Sequence, residues 1–253
     1  MFDIIIPLGP NDTKYFGLQL EHTRKYVIGY RRIYIIAFDP NAVIVDVGDN
    51  SVVVVPESVF PFSKNTVSVY HGGANSRNGW YLQQLLKMYA WAYIDGLLDR
   101  YLVVDADAFF VNPTMFETHD GKCLYNFARE YHYPYFEHMA RLSPIFSRAY
   151  ELSGICHHMM FETRIVKEII GKVEAEHKGK RFWEVFLECV EPGLRHGIGS
   201  GASEYELYFH YIMKTRLDEI EVRELVWDNV AKWTPELWLE HDYVAWHHYD
   251  QKE

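Results

Sequence analysis

The residues best suited to chemistry are the two aspartates in Tyr101-Leu102-Val103-Val104-Asp105-Ala106-Asp107-Ala108-Phe109-Phe110. Residues 101–104 make a short apolar strand, and the aspartates follow at its carboxyl end, where open α/β sheets bind ligands. Two carboxylates this close repel unless one is protonated or a cation sits between them. A divalent ion that also binds a diphosphate relieves the repulsion and stabilises a departing phosphate. Two exposed turn aspartates are the bland alternative, and the strand context favours ligation. Ala106, between the carboxylates, is counted with the cofactor-binding residues.

Four other groups surround this pair in the argument. In the helix after Gly79, Leu82, Leu85, Leu86, Tyr89 and Tyr93 share one face, while Trp80, Gln84, Lys87 and Trp91 share another. Gln83 and Lys87 stand four residues apart on a common face; a lysine there offers a point charge to phosphate and a glutamine an amide. His157 and His158 sit in an apolar run, where strand alternation sends one ring toward a site and the other into the core as a hydrogen-bonded histidine. His247 and His248 follow Val244-Ala245-Trp246, and Trp246 favours burial of that segment. Finally, Gly197-Ile198-Gly199-Ser200-Gly201-Ala202 leads into a helix that Ser203 caps, with Glu206 completing a capping box. That leaves Glu204 as an uncommitted carboxylate in the first turn. No Gly-Lys-Ser/Thr follows these glycines, so a P-loop is excluded.

The elements that must position these groups alternate in the first half. Residues 2–6 form a buried strand, and Asn11 or Asp12 caps a helix reaching about residue 26. Residues 32–38 form a second strand. Runs 42–47 and 51–55 flank Gly48-Asp49-Asn50, as a hairpin or as two separate strands. Residues 72–79 form a loop before the helix of Lys87, and strand 101–104 closes the half. The second half holds an aromatic loop at 131–136, a strand near 155–160 and helices over 162–176, 182–190 and 203–214. Strand–helix alternation ending on a strand tip predicts an α/β fold with a mostly parallel sheet and helices on both faces.

Composition bounds the rest. The 253 residues are 49% hydrophobic, enough to bury a core without disulfides. A net charge of -10 argues against a nucleic-acid partner, since neutralising phosphates needs a basic surface. Cys123, Cys156 and Cys189 form neither a disulfide framework nor a CxxC site, and read as reduced thiols. The opening residues lack a basic start and a long apolar run, and no stretch is long enough to span a membrane. Cytoplasmic location is therefore the expectation. Aromatic residues make up 16%; most belong to the core, and some faces suit sugars and bases.

The strand with its Asp105-Ala106-Asp107 tip resembles the DxD motif of GT-A glycosyltransferases, and Ile4-Ile5-Ile6-Pro7-Leu8-Gly9-Pro10-Asn11-Asp12 resembles their first strand and nucleotide loop. Asn78-Gly79-Trp80-Tyr81-Leu82-Gln83-Gln84-Leu85-Leu86-Lys87 is similar to a block in a little-characterised family of bacterial and viral glycosyltransferase-like proteins of unknown function. Cys156-His157-His158-Met159-Met160-Phe161 and Ser203-Glu204-Tyr205-Glu206-Leu207-Tyr208 resemble two later blocks of that family. The resemblance implies a GT-A fold, sugar transfer from a nucleoside-diphosphate sugar to a glycan hydroxyl, and dependence on Mn2+ or Mg2+. A UDP-sugar is favoured, with a GDP-sugar as the alternative. It implies one domain, with residues 1–115 binding the nucleotide sugar and 116–253 the acceptor. Pro7, Leu8, Gly9 and Asn11 would line the nucleotide, and Trp80, Gln84 and Lys87 would contact the donor. Asp105 and Asp107 would hold the metal, completed by His247 or His248. His157 or His158, with Tyr205, would face the substrate. Glu204 would take the acceptor hydroxyl proton in an inverting transfer.

Two rivals share some of these features. A phosphatase of the haloacid-dehalogenase type also follows an apolar strand with Asp-x-Asp, but its motif lies near the N-terminus and precedes Gly-Thr, where this chain has Ala108-Phe109. A non-catalytic, metal-dependent carbohydrate-binding protein would use the aromatic surplus but leave Glu204 without a task. A glycosidase needs two carboxylates flanking a sugar bond, and no such pair is assignable.

Overall fold

The computed structural model describes residues 1–43, 51–196, 199–234 and 239–247. The chain opens with strand β1 (Phe2–Leu8), helix α1 (Phe16–Tyr26), β2 (Val27–Ile28), β3 (Tyr30–Ala37) and β4 (Val52–Pro56). Helices α2 (Lys64–Tyr70) and α3 (Asn78–Tyr93) precede β5 (Arg100–Val104), β6 (Ala108–Phe110), β7 (Thr114–Met115) and β8 (Cys123–Asn126). Then come α4 (Tyr133–Leu142), β9 (His158–Glu162), α5 (Thr163–Glu176), α6 (Phe182–Glu188) and α7 (Glu204–Thr215). Three short strands end the described chain: β10 (Ile220–Arg223), β11 (Trp227–Asn229) and β12 (Tyr243–Ala245).

The main sheet has the order β4-β3-β1-β5-β9, parallel except for the β5–β9 pair. Its inner strands are buried on both faces, as expected of apolar runs such as Ile4-Ile5-Ile6 and Leu102-Val103-Val104. This is the expected α/β, Rossmann-like architecture, with helices packed against the strands. Because β1 and β5 run parallel in register, Ile4 opposite Leu102, their carboxyl ends emerge side by side. A smaller sheet, β11-β12-β6, stands at that end. In it β12 pairs antiparallel with β6, Ala245 opposite Ala108, so the late segment returns to the aspartate tip. Phe109, Val244 and Trp246 pack there in a cluster of their own. Trp246 is buried, as its position implied.

Several elements differ from the sequence expectation for identifiable reasons. Helix α1 starts at Phe16, not at Asn11 or Asp12, because residues 10–15 form turns in which Asp12 N–H donates to the Gly9 carbonyl. The aromatic segment 131–136 is not all loop: α4 begins at Tyr133 with Pro134 in its first turn, where a missing N–H costs nothing. Strand β9 begins at His158, about three residues late, since His157 takes a left-handed φ of 59° and breaks the extended run. Residues 51–55 join β4 at the sheet edge beside β3; most of the run 42–47 lies outside the described residues. Ser203 does cap α7, accepting from Glu206 N–H at 3.2 Å, but the Glu206 side chain binds elsewhere and makes no capping box. Cys123, Cys156 and Cys189 are free thiols. Among the described residues, no helix is long and apolar enough to cross a membrane.

Candidate functional site

Asp105 and Asp107 stand at the end of β5, on the turn into β6. The His157 carbonyl accepts from Asp105 N–H at 2.9 Å, which ties the left-handed turn before β9 to the aspartate tip. Left-handed backbone is uncommon outside glycine, and its placement here aims the His157 ring inward. His157 Nδ1 lies 3.5 Å from Asp105 Oδ2. One ligating atom each from Asp105, Asp107 and His157 falls within 4.8 Å of the others, a grouping able to hold a metal ion. Two carboxylates and an imidazole suit Mn2+, and the oxygens suit Mg2+. The sequence reading placed a histidine from the 157–158 pair on the substrate side; His157 instead joins the carboxylates.

His158 turns the other way, into the core. It is packed edge-on against Phe110, Phe116 and Tyr243, and its ring nitrogens lack a well-formed hydrogen bond, contrary to the hydrogen-bonded histidine expected. Burial lowers its pKa to about 3, so it stays neutral. His247 does reach the site: its Nδ1 lies 2.6 Å from Asp107 Oδ2 and its Nε2 3.1 Å from Asn229 Oδ1. With both nitrogens engaged, it sits beside the ligand group and braces Asp107. Its approach follows from β12, since Trp246 N–H donates to the Asp107 carbonyl. His248 lies outside the described residues.

Lys87 links the aspartate tip to α7. Only 2% exposed, it donates from Nζ to Asp105 Oδ1 at 2.6 Å, Glu204 Oε1 at 2.7 Å and the Tyr205 hydroxyl at 3.1 Å. The Tyr205 hydroxyl donates to the same Asp105 oxygen at 2.9 Å. Asp105 Oδ1 is thus committed within the protein, and Oδ2 is the oxygen that faces His157. Burial acts to raise the Asp105 carboxyl, but the Lys87 ammonium and His157 outweigh it and hold it well below the usual carboxylate range. Burial pushes Glu204 up, and Lys87 opposes that only in part. Glu204 is therefore a stronger base than a surface glutamate. On α3, Gln84 and Lys87 are both almost fully buried, at 1% and 2% exposure. Gln84 Oε1 accepts from Glu204 N–H at 3.0 Å, satisfying an orphan donor of α7, and Gln84 Nε2 donates to the Trp80 carbonyl.

A cleft of about 120 Å³ opens over this cluster, lined by Trp80, Gln84, Lys87, Asp105, His157, Glu204 and Tyr205 from the sequence reading. Gln83, Tyr135, Ile155 and Ser203 complete it. Trp80 stacks near Tyr135, and the Arg77 guanidinium covers its ring at 4.9 Å. Tyr135 and Ile155 carried no sequence signal; only the fold brings them here. Pro7 and Leu8 are buried in β1, Gly9 is half-buried and Asn11 is exposed on the turn beyond. On that turn Asp12 was read as a possible cap and as the end of the nucleotide-loop segment, with no chemical role of its own. Burial, then the charges of Asp107 and Asp105, raise its pKa to about 7, which marks a third carboxylate near the pair. The spacing Pro7-x4-Asp12 gave no hint of that.

No curated protein matches the chain. A family profile matches residues 34–252, from β3 through the tail, so β1 and α1 precede the matched span. The chain belongs to that family, which is described only as a family of unknown function, DUF6492.

Proposed function

We propose that the chain transfers a sugar from a nucleoside-diphosphate sugar, a UDP-sugar ahead of a GDP-sugar, to a hydroxyl of a glycan acceptor, with inversion, on a GT-A variant of its Rossmann-like fold. The observation that carries this is the convergence of Asp105, Asp107 and His157 at a central strand tip, beside a buried lysine and a buried glutamate. Those three residues would hold a divalent ion, which when bound would supply positive charge to a departing diphosphate. Lys87 and Tyr205 fix Asp105 with one oxygen turned to His157, and His247 braces Asp107. Residues 7–9 and Asn11, at the end of β1, line the nucleotide. Trp80 gives a face for the donor, and Gln84 acts by holding the Glu204 backbone. Glu204, with its pKa raised by burial, takes the acceptor proton. Residues 1–115 serve the donor and 116–253 the acceptor, in one domain.

A panel of UDP- and GDP-sugars, with and without Mn2+, tests the reading by free-nucleotide release and thermal shift, since a ligand of the folded state raises its Tm. One donor should raise Tm only with Mn2+ and release nucleotide on adding acceptor. Asp107→Ala should abolish Mn2+-dependent nucleotide binding in calorimetry while keeping the native circular dichroism spectrum. Unchanged metal-dependent binding in that variant would overturn the metal assignment. Saccharide binding with no nucleotide release from any donor would replace transfer with non-catalytic carbohydrate recognition.

A further inference from the structure

A second concavity, of about 510 Å³, runs between residues 127–130 and 224–227. Buried polar groups hold both walls. Ala128 exchanges two backbone hydrogen bonds of 2.9 Å with Ser153, whose hydroxyl donates to the buried Glu206 carboxylate at 2.7 Å. Opposite, Leu225 N–H donates to Asn126 Oδ1 at 2.9 Å, and Asn126 Nδ2 donates to the Tyr243 hydroxyl at 3.2 Å. Phe127 and Trp227 give the groove half-buried aromatic surface, and Trp227 stacks on Tyr243 with ring centres 5.4 Å apart. Arg129 lies over Phe127 and reaches across to Glu224 at 3.3 Å. That pair is 71% and 59% exposed, so a ligand displaces it at little cost. The groove also adjoins the aspartate site, because the Trp227 ring meets the His157 ring edge-on at 5.2 Å.

We propose that this groove binds a neutral saccharide against Trp227 and leads its terminal hydroxyl past His157 toward Glu204. Aromatic faces suit the apolar faces of sugar rings. Guanidinium and carboxylate groups at the mouth suit hydroxyls, which both donate and accept. One cation against two carboxylates, Arg129 against Glu130 and Glu224, disfavours phosphorylated or acidic ligands. The volume lies within the range of small-molecule sites, about 300–1,000 Å³. That the saccharide is the acceptor rests on the transfer reading; that the groove binds saccharide does not.

The full chain labelled with 5-fluorotryptophan, with the Trp227 resonance assigned through Trp227→Phe, is titrated with neutral di- and trisaccharides of glucose, galactose and N-acetylglucosamine, and with acidic counterparts. The Trp227 resonance should move saturably with at least one neutral saccharide. The surface double variant Arg129→Ala/Glu224→Ala should weaken that binding at least fivefold. No movement with any neutral saccharide, movement with acidic ones alone, or equal affinity in the double variant would overturn the proposal. Nucleotide release measured on the same samples separates the two readings. Release without a Trp227 response sinks the groove and spares transfer; a Trp227 response without release from any donor keeps the saccharide site and removes its acceptor role.

Discussion

Glu204 and Glu206 stand two residues apart at the start of α7, both almost fully buried, yet they face opposite sides of the helix and meet different partners. Glu206 accepts the Ser153 hydroxyl at 2.7 Å and Gly154 N–H at 3.0 Å, and His210 Nε2 lies 3.2 Å away, off hydrogen-bond geometry. A side chain at Gly154 would collide with Phe209, so the loop lies flat on α7 and its backbone reaches the carboxylate. Glu204 instead shares the Lys87 ammonium with Asp105 and lines a cleft. A carboxylate satisfied by a backbone amide and a hydroxyl stitches a loop to a helix. One whose cationic partner is shared with a strand-tip aspartate is set up to exchange protons or meet a ligand.

The largest expected effect follows from Glu204→Gln, which keeps size and hydrogen bonding but removes the base. Under the proposed transfer, turnover should fall by roughly 10²–10⁴-fold with donor affinity nearly unchanged. Turnover like that of the parent, or a product that retains the donor's anomeric configuration, would remove Glu204 from the chemistry. Glu206→Gln should show the opposite profile. It weakens the hold on Ser153 and Gly154, and stability should drop by about 1–3 kcal/mol in urea unfolding. Its effect on turnover should stay below tenfold. A Glu206 variant that is stable but inactive would collapse the contrast between the two positions.

The alternating first half was legible because apolar strands and turn residues sit close together in sequence. So was the aspartate pair: a carboxylate doublet after four apolar residues is a local signal. Lys87 and Glu204 were legible as candidates from helix-face spacing and from a first-turn carboxylate with no capping role, but not as partners. Their contact depends on α3 and α7 packing 117 residues apart in sequence, and nothing in the spacing of either helix announces it. The reading of Glu206 as a capping residue failed for the same reason. Its competing partners, Ser153 and Gly154, are 53 and 52 residues away, and tertiary hydrogen bonds outweighed the local option. His247 was picked out by type and lateness in the chain, yet only β12 pairing with β6 sets it on Asp107. The order of His157 and His158 also needed the fold, since a left-handed turn rather than strand alternation separates their directions.

The smallest effect sharpens the enclosed class of polar groups, to which His71 and His138 belong with Glu206. Both rings are 1% exposed, with Nε2 facing a backbone carbonyl: Leu187 at 3.3 Å for His71 and Phe186 at 2.8 Å for His138. Each packs edge-on to an aromatic ring at 4.6 Å, Tyr81 and Phe186 respectively. Burial lowers the pKa of each to about 4 from an ordinary value of 6.5. In the unfolded chain these histidines take up protons as pH falls through about 6.5, while in the folded chain they resist until about 4. The unfolded state therefore binds more protons across that window. The stability these neutral rings contribute is fully present above about pH 6.5, is lost progressively toward pH 4 and changes no further below it. His138→Gln keeps a donor for the Phe186 carbonyl and removes the titration. Its urea midpoint, followed from pH 7 to pH 4, should fall less steeply than that of the parent. Parallel slopes for variant and parent would show that His138 is protonated as readily folded as unfolded, and would move it out of the enclosed class.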